Sequence, residues 1–495
     1  VIAERARSAF PTRLALASTS LAVLLAIAAQ SAAPTESDLK SRAEAVDQSN
    51  LEKSAELVRW AFDHDLFREA AGLARAVLAQ KPEHEVGRLL SRIESIPQAE
   101  FVAKYRDALR TSGSAFQAKR SALARSSADS LIAIARDAEK ATFDALAESV
   151  YLDAARVDSA NAAAVAALKK RDYDVIFNFG PVPKSEKEEA RKTLQKLGGG
   201  FLVERDLKSE LAFWSDAWGM STAHYRLVTN VSPSKAFRFA QDCEDLYAGW
   251  GALMKELGLP IRDWKDRCSV YLFDSGLTYQ VALRTAKVDP PKLAEAMGFY
   301  WGETKIGYFY DDPKAYEGDV GLLAETLYHE GGHQLFDLRF KIAARGQGGK
   351  VPCAWIDEGL AVYLESLSVD DKGKTRAVRF GSVLEDDVAE IVDEDARGEL
   401  ANLSTLLDAD DEAFAALGAD GQAHAAALVH FLLHGNGGAY RKTFAGVIDS
   451  VQKCGGLKAP LNELLGMKSA SDLESKFRAY VHDSLAKLPR RKYHA

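Results

Sequence analysis

Thr326-Leu-Tyr-His-Glu-Gly-Gly-His-Gln-Leu-Phe336 is the stretch around which the chain is organised. It contains His329-Glu330-Gly331-Gly332-His333, an H-E-x-x-H pattern. On a helix, residues four apart share a face and stand about 6 Å apart along the axis. Two imidazoles so placed can point at one metal ion. Glu330, one position round, can reach a water on that metal. With 10 histidines in 495 residues, the pattern arises by chance in roughly one such chain in a hundred. Standing alone, it reads equally well as a helix with two surface histidines and a carboxylate.

It does not stand alone. Trp355-Ile-Asp-Glu-Gly-Leu-Ala-Val-Tyr-Leu-Glu365 follows, with helical apolar spacing at Leu360, Tyr363 and Leu364 and with Glu358 near its start. A catalytic zinc usually takes three protein ligands and leaves a fourth position open. Two histidines from one helix and a carboxylate from a later one complete such a set. The plain alternative for Glu358 is a first-turn glutamate favoured by the helix dipole.

These two stretches resemble the gluzincin metallopeptidases, the peptidase MA-like superfamily. The resemblance implies a thermolysin-like α+β catalytic domain, a small mixed sheet plus a helical subdomain, holding one zinc ion. It implies that His329, His333 and Glu358 are the ligands and Glu330 the general base. It also implies a Tyr or His donor from the later helices to stabilise the oxyanion. His424 is the candidate, because it precedes Leu428-Val-His-Phe-Leu432, a segment similar to one that packs behind the active site in this branch. A packed core histidine is the competing reading. Two departures stand out. Val362 occupies the place where thermolysin-like members carry a supporting Asp, and a Gly-Gly pair lies inside the motif. Two glycines cost a helix roughly 2 kcal/mol relative to alanine, which points to another backbone approaching closely.

Away from these stretches the composition is that of an ordinary globular protein, 47% hydrophobic and 27% charged. The formal net charge of -8 argues against nucleic acid as a partner. Residues 1–33 combine Arg5, Arg7 and Arg13 with an apolar run, Leu14 to Ala29, and small residues before Pro34. That is the pattern of a signal peptide, with an uncleaved anchor as the rival. Export, periplasmic or secreted, is the expectation, with membrane contact only through this segment. Four cysteines, Cys243, Cys268, Cys353 and Cys454, allow three full pairings.

Residues 34–175 read as all-α. Ala70, Ala74, Val77 and Pro82 resemble the spacing of a tetratricopeptide helix pair, echoed at Ala147, Tyr151, Ala154 and Ser159. Such pairs stack and offer a surface to a protein partner; a plain bundle is the alternative. Asn178-Phe-Gly-Pro opens a connector over 176–222. The metallopeptidase-like domain covers 223–488, and 489–495 form a basic tail. Its strands are expected at His224–Val231, Cys268–Phe273 and Lys305–Tyr310, the last an edge strand along which a peptide substrate would bind. Between the first two runs a helix from Pro233, capped by Ser232, is expected to stop at Gly258. A capping box at Ser471–Glu474 is expected to open the last helix. The reading is a zinc-dependent peptidase. Its rival is a catalytically inactive relative that binds a partner through the helical domain.

Overall fold

The structure is a computed structural model. It describes residues 34–490 apart from 212–213, 215, 262–265, 275, 277–278, 280–282, 284–295, 312–321, 340–352, 371–376, 385 and 455. The segment 1–33, read as signal peptide or anchor, and residues 491–495 of the basic tail lie outside the described residues. Among the described residues, no helix is long and apolar enough to cross a membrane. The chain is mixed α+β and divides into two compact units. The first holds the chain up to Ser221, Val228–Ser234 and Leu277–Asp289. The second holds Thr222–Leu227, Lys235–Gly276 and the chain from Pro290 on.

The first unit begins with six helices, α1 (Glu36–Asp63), α2 (Phe67–Gln80), α3 (Val86–Glu94), α4 (Gln98–Lys140), α5 (Asp144–Val157) and α6 (Ala162–Lys169). Thr35 opens α1 with a capping box: its Oγ1 accepts from the Asp38 amide at 3.2 Å, and Asp38 Oδ2 accepts from the Thr35 amide at 3.0 Å. Two apolar clusters form. One packs α1, α2, α3 and the first half of α4, with Ala70, Ala74, Val77 and Phe101 buried in it. The other packs the second half of α4 with α5 and α6, with Ala147, Tyr151 and Ala154 buried in it. Ala70, Ala74, Ala147 and Ala154, singled out in the sequence, thus line the two cores. Where α1 crosses α4, buried Ser127 donates from Oγ to Asn50 Oδ1 at 2.7 Å, a polar pair that fixes their register.

The stretch read as a connector is folded. β1 (Tyr173–Ile176) and β2 (Gly180–Pro183) form an antiparallel hairpin. Its turn passes through Asn178 at φ 59°, a conformation asparagine tolerates better than most residues. The breaker cluster is therefore a hairpin turn. Asn178 Nδ2 also donates to the Ala217 carbonyl at 2.9 Å. After α7 (Lys184–Lys196), β3 (Gly200–Phe201) pairs antiparallel with β4 (Trp218–Ser221), and the short α8 (Lys208–Leu211) lies between them in sequence.

Next in the chain, β5 (Tyr225–Thr229) is followed by α9 (Pro233–Leu257). This helix buries Phe239, Ala240, Cys243, Leu246, Trp250 and Met254, and Gly258 ends it at φ 66°. Cys243 is a buried free thiol, so the four cysteines are not all paired. Then come β6 (Cys268–Phe273), β7 (Gly298–Trp301) and β8 (Ile306–Tyr310), ordered β5-β6-β8-β7. β8 runs parallel to β6 and antiparallel to β7. The expectation that Lys305–Tyr310 forms the edge strand is therefore corrected. That strand is flanked on both sides, and the edge is β7, too short for its alternation to be read. The β7–β8 turn closes through Lys305 at φ 60°.

The motif helix is α10 (Leu322–Arg339), and the second stretch is α11 (Ala354–Glu365). Buried Gln334 straps α10 to the strands, its Nε2 donating to the Ser269 and Lys305 carbonyls at 2.9 and 3.1 Å. A small pair, β9 (Ser368–Asp370) and β10 (Ala377–Arg379), precedes α12 (Asp386–Arg397), α13 (Leu403–Leu407), α14 (Asp411–Gly438), α15 (Arg441–Cys454), α16 (Leu461–Leu464) and α17 (Ala470–Asp483). α14 is interrupted at Gly418 and loses helical geometry from Gly435. The box expected at Ser471–Glu474 is corrected as well. Ser469 is the cap, accepting from the Asp472 amide at 3.2 Å, and Glu474 instead accepts from the Leu403 amide at 2.7 Å.

Glycines set how closely the helices around α11 approach. A Cβ at Gly331 would stand 2.6 Å from Leu246 Cδ2 on α9, and one at Gly332 2.8 Å from Leu364 Cδ1 on α11. The motif glycines thus admit leucine side chains from two helices, with the α11 backbone at Ala361 a little farther off. At Gly359 the neighbour is backbone: a Cβ would lie 2.7 Å from the Ala425 carbonyl oxygen of α14. Gly359→Ala should lower the unfolding free energy of the second unit by about 1–3 kcal/mol, despite alanine's better helix propensity. Gly446→Ala, on an exposed face of α15 with no atom in the way, should raise it by up to about 1 kcal/mol. Denaturant titration of both variants checks the opposite signs.

Candidate metal centre

α10 presents His329 and His333 on one face, and α11 brings Glu358 opposite them. Their Nε2 atoms lie 3.2 Å apart. Glu358 Oε2 lies 3.5 Å from His329 Nε2 and 3.7 Å from His333 Nε2. These three residues form a group that could hold a metal ion. The side chains are 16, 16 and 18% exposed, sheltered but reachable.

The outer nitrogens of both rings are held by carboxylates that the sequence reading did not assign. His329 Nδ1 is 2.6 Å from Glu365 Oε1, and His333 Nδ1 is 3.4 Å from Asp357 Oδ1. A carboxylate on Nδ1 fixes the tautomer that leaves Nε2 as the ligand atom and raises its basicity. Glu365 stands two helical turns beyond Glu358, which puts both on one face of α11. That spacing was the available signal. Glu365 takes the supporting role on this face, whereas Val362 is buried and apolar. A third unassigned residue is Gln422 on α14, whose Nε2 donates to Glu358 Oε2 at 2.9 Å.

Glu330 is turned toward the sheet edge. Its Oε2 accepts from the Tyr300 amide of β7 at 2.9 Å, and Tyr300 donates its hydroxyl to Asp337 of α10 at 2.6 Å. The edge strand and the motif helix are thereby joined beside the cluster.

His424 is not brought to the centre. Its ring packs on Phe477 of α17 with centroids 5.5 Å apart, and burial pulls its pKa down to about 4. Residues two apart on a helix point roughly 200° apart, so the turn of α14 that aims Gln422 at Glu358 aims His424 away. The candidate oxyanion donor is thus corrected to a packed core histidine. The other two histidines of α14 are also structural. Buried His430 accepts from the Tyr480 hydroxyl at 2.6 Å through Nδ1 and donates to the Gly381 carbonyl at 3.1 Å through Nε2. Burial lowers its pKa to about 3, so it is neutral. His434 Nε2 shares a 2.9 Å hydrogen bond with the Tyr363 hydroxyl.

A family described as a protein of unknown function (DUF1570) matches residues 323–453. The matched segment contains the three clustered residues together with Glu330, Asp357, Glu365 and Gln422, and stops short of β7. No curated protein matches the chain.

The cluster binds protons when no metal competes. Burial by itself would lower His329, but hydrogen bonds to Glu358 and Glu365 outweigh it and hold the pKa up at about 10. His333 is raised as well, its desolvation outweighed by Asp357 and Glu358. A metal needs these imidazoles neutral, so uptake at neutral pH must release protons. With zinc as the probe ion, affinity should climb as pH rises toward about 10 and fall on acidification, by about tenfold per pH unit for each proton displaced. Calorimetry in buffers of different ionisation enthalpy reads the proton count, and a count of zero contradicts the geometry. Separately, Glu365→Gln should weaken zinc binding by about 10–100-fold, measured by competition with a chromophoric chelator.

Proposed function

We propose that the chain is a zinc-dependent metallopeptidase of gluzincin type. One observation carries the reading: His329 Nε2, His333 Nε2 and Glu358 Oε2 converge within ligand distance of one another, with Glu330 on the same helix. Two imidazole nitrogens and a carboxylate oxygen suit zinc, and a three-ligand site leaves a coordination position open. Carboxylates behind both imidazoles add to the fit, because two part-buried histidines and three acidic groups favour a dication at their focus.

Zinc in this setting supplies Lewis acidity, polarising a carbonyl and making water a competent nucleophile near neutral pH. The protein's own share of the chemistry falls to Glu330. Its Oε2 is occupied by the Tyr300 amide. Its Oε1 accepts a proton from the attacking water and returns it to the leaving amine. The edge strand next to Glu330 is β7, so an extended peptide lying along that edge, clear of the Tyr300 amide that Glu330 already takes, would pass its backbone near the base. Asp337 holds the Tyr300 side chain and keeps β7 in register with α10.

Glu330→Gln tests this directly. The amide keeps its size and can still accept from Tyr300, but it cannot act as a base. The variant should bind zinc as the wild type does and lose about 10²–10⁴ in peptide turnover. A peptide-library digest with both proteins, alongside metal analysis, makes the comparison. Equal turnover would remove Glu330 from the mechanism.

A further inference from the structure

We propose that Gln422 is a positioning residue of the metal centre, holding the Glu358 carboxylate with its ligand oxygen turned toward His329 and His333. The proposal rests on the metal-binding reading above. Gln422 Nε2 donates to Glu358 Oε2 at 2.9 Å, and that same oxygen faces both Nε2 atoms at 3.5 and 3.7 Å. The terminal carboxylate torsion of a glutamate is broad and roughly two-fold. Without an outside donor either oxygen, or both, can face the histidines. The Gln422 amide, a donor from outside the cluster that stays in place when the imidazoles give up their protons, favours one orientation before any metal arrives.

The fold keeps Gln422 within reach. α14 lies against α11 at Gly359, where the Ala425 carbonyl leaves no room for a Cβ. Gln422 and Ala425 are three residues apart and share that face. Each of the three clustered residues then has an outer partner: Glu365 for His329, Asp357 for His333 and Gln422 for Glu358.

The residue type also matters. An amide donates without carrying charge. A lysine or arginine in this place would neutralise Glu358 and compete with a dication. A carboxylate would repel Glu358 and offer no proton at neutral pH. Gln422 is thus suited to orient an anionic ligand without weakening its attraction for the metal.

Zinc affinity by chelator competition, together with the visible spectrum of the cobalt(II)-loaded protein, tests the proposal on the full chain. Gln422→Met conserves volume and removes the donor. It should lower zinc affinity by about 10–100-fold and shift the cobalt bands, with far-UV circular dichroism and unfolding midpoint unchanged. Gln422→Asn, whose amide falls one methylene short, should give the same two changes and serves if the Met variant folds poorly. Gln422→Lys should lose more zinc than either. A role limited to packing α14 on α11 predicts wild-type affinity and spectrum for Gln422→Met, and that result overturns the proposal alone. Wild-type protein that takes up neither zinc nor cobalt overturns the metal centre, and this proposal with it.

Discussion

The contact at Gly359 is the constraint on which the centre depends. Helices with ordinary side chains at their crossing stand about 8–10 Å apart. Here α14 puts a backbone carbonyl where a Cβ would otherwise be. Gly332 similarly admits Leu364 of α11 against α10. α11 is therefore held tightly between α10 and α14, and its one polar face carries Asp357, Glu358 and Glu365 to the histidines. A side chain at Gly359 would push α14 away, and one at Gly332 would displace the tip of Leu364. A shift on the order of 1 Å is enough to spoil metal-ligand geometry, which tolerates about 0.2 Å. The helix-propensity cost of the motif glycines is thus spent on convergence. Such conflicts between local propensity and global arrangement are expected at functional sites.

Charge is the second constraint. Three carboxylates surround two imidazoles in a half-buried setting. Buried carboxylates are costly unless paired. In the absence of a metal the histidines supply the compensation by holding protons, which is why His329 is raised and Glu358 lowered: burial opposes the charged form of each, and their mutual hydrogen bonds prevail. A dication at the same focus replaces those protons and satisfies the carboxylates at once. The buried histidines of α14 show the contrast. His430 and His434 are also four apart on a helix, yet among the described residues no carboxylate is hydrogen-bonded to either, and burial drives both pKa values down. Spacing brings two imidazoles together in both places. The carboxylates decide which pair suits a cation.

Much of this was legible in the sequence. The H-E-x-x-H spacing located α10, and Glu358 was identifiable because a three-ligand site needs a third donor from a nearby helix. Asp357 and Glu365 lay in the quoted stretch but were not assigned, since their roles depend on the angle at which α11 crosses α10. The edge strand was misplaced for a similar reason. β8 is the stronger strand by composition, but strand order is set by pairing, and β7 offers only four residues. The hairpin inside the connector was not legible because Asn, Gly and Pro mark a tight turn and a linker alike. His424 was chosen because it precedes the family-like Leu428–Leu432 segment. Helical phase selects Gln422 instead, and phase relative to a partner helix is a tertiary fact.

The Tyr300 amide bears on how Glu330 would serve as the base of the proposed mechanism. Glu330 adjoins His329 on the helix, rotated about 100° and raised about 1.5 Å. A carboxylate that close to a cation would be drawn toward it and could saturate the position that water must occupy. The edge amide of β7 counters that pull by engaging Oε2. An outward-facing amide of an edge strand is otherwise open to intermolecular pairing, so one hydrogen bond addresses two problems. It satisfies the Tyr300 amide, and it holds Glu330 beside the three clustered residues rather than among them. Tyr300 is locked in turn by Asp337, one further turn along the same face from His333. β7, Glu330 and the two histidines are therefore referenced to α10, while Glu358 reaches them from α11.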